Sequence, residues 1–106
     1  MAEKVIAKNY VGAGFPPEEG AKFARVLLSK ETDWNDLTID VRDLPASLII
    51  SAFFNGFLQR IFNERPAVLP QARRIKWELA YPFQQENVAR WMKDFEPYRE
   101  SAQPQG

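Results

Sequence analysis

Asp33, Asp36, Asp40 and Asp43 are the closest approach in this chain to a metal-binding motif. Their carboxylates are the oxygen ligands that a hard cation such as Mg²⁺ takes. The spacing crosses a predicted turn and a predicted strand, however, and matches no metal-binding loop. We therefore expect turn and strand-end residues in solvent, with Asp33 or Asn35 shaping the turn, and no metal site.

The segment Gly12-Ala13-Gly14 stands before a predicted helix, as the glycines of a phosphate-binding loop do. Pro16 and Pro17 remove two amide donors there, and Glu18 and Glu19 add negative charge where a phosphate needs positive potential. This segment is therefore predicted to be a turn.

Basic and aromatic residues raise the alternative of nucleic-acid binding. Arg73, Arg74 and Lys76 lie together, and Lys22 and Arg25 could extend the patch. Fourteen basic and fourteen acidic residues give no net charge, which argues against a general polyanion binder. Among the tryptophans, Trp77 and Trp91 fall at core positions, and only Trp34 is predicted as a surface anchor.

Catalysis has few candidate residues. The chain has no cysteine and no histidine, which excludes thiolate nucleophiles, imidazole acid–base pairs and the metal sites that those residues build. No two carboxylates share a face beside an evident pocket. We therefore expect no enzyme activity and no cofactor.

The elements that position these residues alternate along the 106-residue chain. Period-two and period-3.6 patterns predict a small α/β sheet of three to four mainly parallel strands with three helices. A single domain should span residues 1–100, and the tail 101–106 should be disordered. A further strand could lie between Val11 and Gly20. The predicted strands are Glu3–Val11, Leu37–Val41 and Arg73–Ala80, and the predicted helices are Pro17–Lys30, Ala46–Asn63 and Gln84 to Phe95 or Tyr98.

The central helix, 46–63, is apolar on nearly all sides in its first half. Such a helix must be covered on more than one side, by neighbouring helices or by another chain. Ile50 and Phe54 form one pair four residues apart, and Ile49 and Phe53 form another, so we expect that both pairs cannot face the same core. The residues predicted to be divided between core and partner are Leu48, Ile49, Ile50, Phe53 and Phe54, with Trp34 as a further partner contact.

Four segments of the chain together resemble a known family. They are 20–28 (GAKFARVLL), 37–44 (LTIDVRDL), 51–58 (SAFFNGFL) and 85–92 (QENVARWM). They are similar to the bacterial STAS-like domain of unknown function, a relative of the STAS domain of anti-sigma-factor antagonists and sulfate transporters. The resemblance covers about residues 20 to 95. It implies a β-sheet flanked by helices, no catalysis, and docking onto a partner that is often an ATPase-type kinase.

In the wider STAS class that kinase phosphorylates a serine at the start of a helix, and here the corresponding residue is Ser51, with Ser47 as a weaker acceptor. A phosphate would add about −1.5 to −2 charge to an apolar helix start. The sequence departs from the family's aspartate and paired serine or threonine at positions 48–52, and from its acidic pair at Asn55 and Gly56. A buried serine bonding a backbone carbonyl is therefore the preferred interpretation of Ser51.

These observations predict a non-enzymatic STAS-like regulatory module that binds a partner protein through the surface around the central helix. The alternative is a self-associating module in which the same surface closes a homodimer. Nucleic-acid binding through Arg73, Arg74 and Lys76 is the minor alternative. Neither a signal peptide nor a membrane-spanning run is evident, so a cytoplasmic location without membrane contact is expected.

Overall fold

The computed structural model describes residues 3–12, 16–43 and 51–97. These residues form an α/β fold, which confirms the predicted class. The strands are β1 (Glu3–Ile6), β2 (Leu37–Asp40) and β3 (Lys76–Glu78), and the α-helices are α1 (Pro17–Ser29), α2 (Ser51–Glu64), α3 (Leu69–Ala72) and α4 (Gln85–Asp94).

The described residues hold four α-helices, one more than the sequence predicted. The additional helix, α3, lies between the predicted helix Ala46–Asn63 and the predicted strand Arg73–Ala80, where no element was predicted. Pro70 lies in the first turn of α3, where a missing amide hydrogen costs no helical hydrogen bond. Prolines in this segment therefore start short helical turns.

The three strands form one parallel sheet in the order β1-β2-β3. Val5, Ile39 and Trp77 align across the strands and form a buried row. The buried side of β2 continues through Leu37 and Val41, as the alternating pattern predicted. No additional strand is present at the described positions 11, 12 and 16 of the connection to α1.

All three strands are shorter than predicted, β2 by one residue and the other two because turns replace residues at one end. The first strand stops at Ile6, and a 3₁₀ turn over Ala7–Asn9 follows. Before β3, Arg73 and Arg74 belong to a turn in which their amides donate to Leu69 O and Gln71 O. Local hydrogen bonds of this kind compete with strand pairing at sheet ends.

Helices α1, α2 and α4 cover one face of the sheet. The ring centroid of Phe54 on α2 lies 4.7 Å from that of Trp77 in β3 and 5.8 Å from that of Trp91 on α4. On α1, Phe23 and Leu27 are buried, whereas Val26 is only half-buried. On α4, Val88 and Met92 are buried, as is Phe95 directly after the helix, whereas Trp91, predicted at a core position, is only half-buried.

No helix in the described part of the chain is long and apolar enough to cross a membrane. The tail predicted to be disordered, 101–106, lies outside the described residues. So do Ser47, Leu48, Ile49 and Ile50 of the predicted central helix.

Candidate interaction surface

Phe53 and Phe54, which the sequence divided between core and partner, are both fully buried. The prediction that one of these two side chains contacts a partner is therefore wrong, and neighbouring elements of the same chain cover both. Helix α2 lies over Trp77 of the sheet, with α1 on one side and Trp91 of α4 on the other. Because three neighbours surround α2, side chains that differ by about 100° around its axis are all covered within one chain.

The outward side of α2 is polar. Asn55 and Asn63 are exposed, and Gln59 and Arg60 are half-buried. Gln59 Nε2 donates to Asn63 Oδ1 at 2.9 Å, and Arg60 Nη1 donates to Glu64 Oε2 at 3.0 Å. These i,i+4 pairs stabilise the exposed stripe by a few tenths of a kcal/mol each.

An open groove of about 610 Å³ separates the outward side of α2 from the end of α4, and we call it the α2–α4 groove. Its described walls carry acids and no base. Trp91 gives the groove a half-buried aromatic ring that is held in place by Phe54. An aromatic side chain anchored in this way loses little conformational entropy when it is covered by another surface. The lining residues are Ser51, Asn55, Gly56, Gln59, Trp91, Asp94, Phe95 and Glu96.

Ser51, the phosphorylation candidate, is half-buried and lines this groove. It is the first described residue of α2. A phosphate on Ser51 would add negative charge to a groove that already carries Asp94 and Glu96. Modification would therefore weaken binding of an acidic partner surface and strengthen binding of a basic one.

Asn55 and Gly56, where the STAS-like family has an acidic pair, serve the helix packing and the groove. A Cβ atom at Gly56 would overlap the backbone of Pro17, so α1 and α2 meet there without an intervening side chain. An acidic side chain is sterically excluded at Gly56. The lack of an acid at this position thus has a packing cause.

Exposed aromatic residues form a second surface, in the loop after β3. Phe83 is 70% exposed and Tyr81 is 40% exposed, with their ring centroids 5.5 Å apart. These residues lie between the predicted strand Arg73–Ala80 and the helix predicted from Gln84, where no interaction surface was predicted. The sequence does carry one indication of this surface. The two aromatic residues beside Pro82 belong neither to the alternating pattern of β3 nor to the apolar side of α4, so no predicted element buries them.

Trp34, the predicted surface anchor, is half-buried and packs against the core. It lies in a 3₁₀ turn over Trp34–Asp36, where the side chain of Asp33 accepts a hydrogen bond from the amide of Asn35 at 3.1 Å. The turn role expected of Asp33 is confirmed. Trp34 offers part of its ring to solvent, beside a polar pocket that Lys30 and Arg65 also line.

Arg73 caps the C-terminal end of α4, so its guanidinium is not available to the predicted basic patch. Its guanidinium donates to the carbonyl oxygens of Met92, Lys93 and Phe95 at 3.0, 2.9 and 2.8 Å. These bonds satisfy acceptors that the end of a helix leaves open. Arg74 and Lys76 remain exposed.

Asp40 is a buried carboxylate at the end of the central strand and is only 5% exposed. It accepts three hydrogen bonds from Arg42, from the backbone N at 2.9 Å, Nε at 3.0 Å and Nη2 at 2.9 Å. Bonding to the Arg42 side chain holds the pKa of Asp40 below its usual value, against the opposing effect of burial. Asp40 is thus a structural ion-pair partner, where the sequence predicted a solvated residue.

The described residues bring together no group of three carboxylates that could hold a metal ion. Of the predicted turn Gly12-Ala13-Gly14, only Gly12 is among the described residues, and its backbone N–H donates to Glu19 Oε1 at 2.7 Å. A carboxylate of the chain itself therefore occupies the donor that a phosphate would need.

No protein-family model matches this chain, and comparisons with curated proteins and with solved structures also find no match.

Proposed function

We propose that this protein is a non-enzymatic partner-binding module of STAS-like form that docks through the α2–α4 groove. The observation that carries the proposal is the groove itself, which combines an accessible Trp91 with uncharged polar side chains of α2 and an acidic end at Asp94 and Glu96. Protein interfaces favour such a rigid aromatic residue surrounded by polar groups. We propose a cytoplasmic location.

The proposed surface is still the one around the central helix, but its residues differ from those the sequence suggested. Phe53 and Phe54 support the helix from within, and the docking contacts come from Asn55, Gln59 and Trp91. An ATPase-type kinase that modifies Ser51 is the partner class that the STAS-like resemblance implies. Ser51 lines the groove, so its modification would act directly on the docked partner.

The test compares two substitutions of the same kind on one helix. Asn55→Arg places a long cation in the groove, whereas Asn63→Arg places the same side chain two turns later, outside the groove. We expect both variants to keep the far-UV circular dichroism of the native protein. Quantitative affinity capture from source cells should retain a specific protein on the native and Asn63→Arg baits and lose it on Asn55→Arg. Equal retention on both variants would contradict the proposal.

Self-association is the second candidate function, and the exposed pair of Tyr81 and Phe83 is the observation that favours it. A 70% exposed phenylalanine beside a second aromatic ring is apolar surface that an isotypic contact could bury. Light scattering coupled to size-exclusion chromatography measures the mass directly. If the native chain is a dimer, Phe83→Asp should give the monomer mass, while a native monomer excludes this candidate.

A further inference from the structure

Strand β3 ends the sheet with backbone groups that no strand pairs in the described part of the chain. The amide of Val41 donates to Glu78 O at 3.0 Å, so Glu78 presents its backbone groups to the β2 side. Because these groups alternate in direction along a strand, the N–H and C=O of Trp77 point away from β2. An edge of this kind is a template for another strand.

Helix α4 lies beside this edge and is attached to β3 at both ends. At its start, Gln85 Nε2 donates to Trp77 O at 3.4 Å. At its end, Met92 O and Phe95 O accept from Arg73, which precedes β3. The helix therefore runs antiparallel to β3, and a groove of about 340 Å³ separates the two. We call it the β3–α4 groove.

The inner surface of the β3–α4 groove is apolar, and its solvent-exposed rim is basic. Ile75, Val88 and Met92 supply buried apolar surface, and no acid is among the described residues that line the groove. Arg74 and Lys76 are exposed and have no ion-pair partner among the described residues. By contrast, Lys4 is paired with Glu78 at 3.0 Å and Lys30 with Glu3 at 3.2 Å. The groove therefore carries two uncompensated positive charges.

We infer that the β3–α4 groove binds an extended acidic segment of a partner protein, which adds to the sheet as a strand beside β3. Its backbone would pair with the N–H and C=O of Trp77. Alternate side chains would then divide, apolar ones toward Val88 and Met92 and acidic ones toward Arg74 and Lys76. This site lies on a different face from the α2–α4 groove and goes beyond the function proposed above.

A bound strand would have to displace the Gln85 side chain from Trp77 O, and the free-energy cost of this displacement is small. The bond from Gln85 to Trp77 O, at 3.4 Å, is near the upper limit of hydrogen-bond length, and Gln85 is itself exposed. A peptide N–H at an ordinary distance would replace it and leave the side-chain amide in water. Strand addition thus exchanges a weak contact for stronger ones.

The chemistry of the groove favours a peptide over a nucleic acid. A backbone of phosphates is bound mainly by many cations, and here Arg73 is held by α4 while two cations remain. Apolar walls and an open strand edge contribute nothing to phosphate recognition. They are what an extended polypeptide uses.

The test measures binding of three fluorescent probes by anisotropy. The first is a peptide of about eight residues that alternates valine and glutamate, the second has lysine in place of glutamate, and the third is a single-stranded RNA oligonucleotide. We expect saturable binding of the glutamate peptide with a dissociation constant below about 1 mM. Its addition should shift and protect the backbone amide of Trp77 in ¹⁵N NMR spectra. We expect no such effect from the lysine peptide.

Matched double variants locate the site. Arg74→Glu with Lys76→Glu should weaken binding of the glutamate peptide at least about tenfold, because two charge-assisted contacts are lost. Lys22→Glu with Arg25→Glu, exposed on α1, makes the same change in net charge and should weaken it far less. Asn55→Arg should leave this binding unchanged, which separates it from the α2–α4 groove. Absence of binding at about 1 mM, equal binding of the lysine peptide, tighter binding of RNA, or an unperturbed Trp77 amide would overturn the inference.

Discussion

At the scale of single residues, Asp40 and Arg42 form an ion pair with three hydrogen bonds at the end of β2. Asp40 is buried and Arg42 is half-exposed, so the arginine covers the carboxylate and links it to solvent. Glu3 is held in a similar way, by a backbone amide and a lysine. Its pKa is lowered first by the amide of Asp33, which donates at 3.0 Å, and then by Lys30 at 3.2 Å. Both carboxylates therefore stabilise the fold in their charged forms.

We predict that Asp40→Asn lowers the free energy of unfolding by about 1–2 kcal/mol at pH 7, since charged hydrogen bonds are lost but Arg42 is partly screened by water. The folded pKa of Asp40 lies below its unfolded value of about 3.9. Its contribution is therefore complete above that value and is lost as pH falls toward the folded pKa. Urea unfolding from pH 7 to pH 3 should show the native and variant proteins converging at acidic pH.

Asp36→Asn supplies the control, because Asp36 is exposed. It should change stability by less than about 0.5 kcal/mol at every pH. A constant difference between Asp40→Asn and the native protein across the range would show that charge is not the cause.

At the scale of elements, the contact of α1 with α2 depends on two glycines. A Cβ atom at Gly20 would overlap the carbonyl oxygen of Phe53, and one at Gly56 would overlap that of Pro17. Each glycine thus faces the backbone of the other helix. The close approach seats Phe23 against Phe57, with ring centroids 5.8 Å apart.

We predict that Gly20→Ala and Gly56→Ala each destabilise the protein by about 1–3 kcal/mol, despite the better helix propensity of alanine, because the helices must move apart. Chemical denaturation measures the difference. Gly12→Ala is the matched control, since its Cβ would meet Glu19 at an ordinary 3.8 Å and should cost far less. If both helical variants were as stable as the native protein, the close contact of the α1 and α2 backbones at these glycines would be contradicted.

At the scale of the whole molecule, helices α1, α2 and α4 cover the same face of the sheet. Sequential parallel strands joined by crossovers of one hand place their helices on one side. The opposite face carries Lys4, Ile6 and Lys76 exposed to solvent. Parallel sheets are usually covered on both faces, so this arrangement depends on polar side chains at the face that the described helices leave open.

We predict that two neighbouring strand substitutions differ in cost. Val5→Thr puts a hydroxyl into the buried row and should destabilise the chain by about 1–3 kcal/mol. Ile6→Thr changes a residue that is 40% exposed on the other face and should stay within about 0.5 kcal/mol. Thermal unfolding of both variants tests this, and a large cost at Ile6 would show that the outer face is covered in solution.

Much of the fold could be predicted from local pattern. The buried side of β2, the start of α1 at Pro17 and the stripe of α4 all follow from spacing and from the conformational limits of proline. The candidate site was harder to predict. The buried position of Phe53 and Phe54 depends on how many neighbours α2 has, and a helical pattern does not state that number. The aromatic pair after β3 was visible in the sequence but carried no periodicity.

The sequence alone determined the classes of chemistry open to this protein and the order of its elements. Residue types limit chemistry, since no fold can supply an imidazole or a thiolate that the chain lacks, and local periodicity follows from backbone geometry. Only the tertiary structure decided which apolar side chains are covered, which of the three neighbouring cations Arg73, Arg74 and Lys76 is used for capping, and where grooves remain open. Those outcomes depend on contacts between residues far apart in the chain, whose positions are set by the packing of the helices on the sheet.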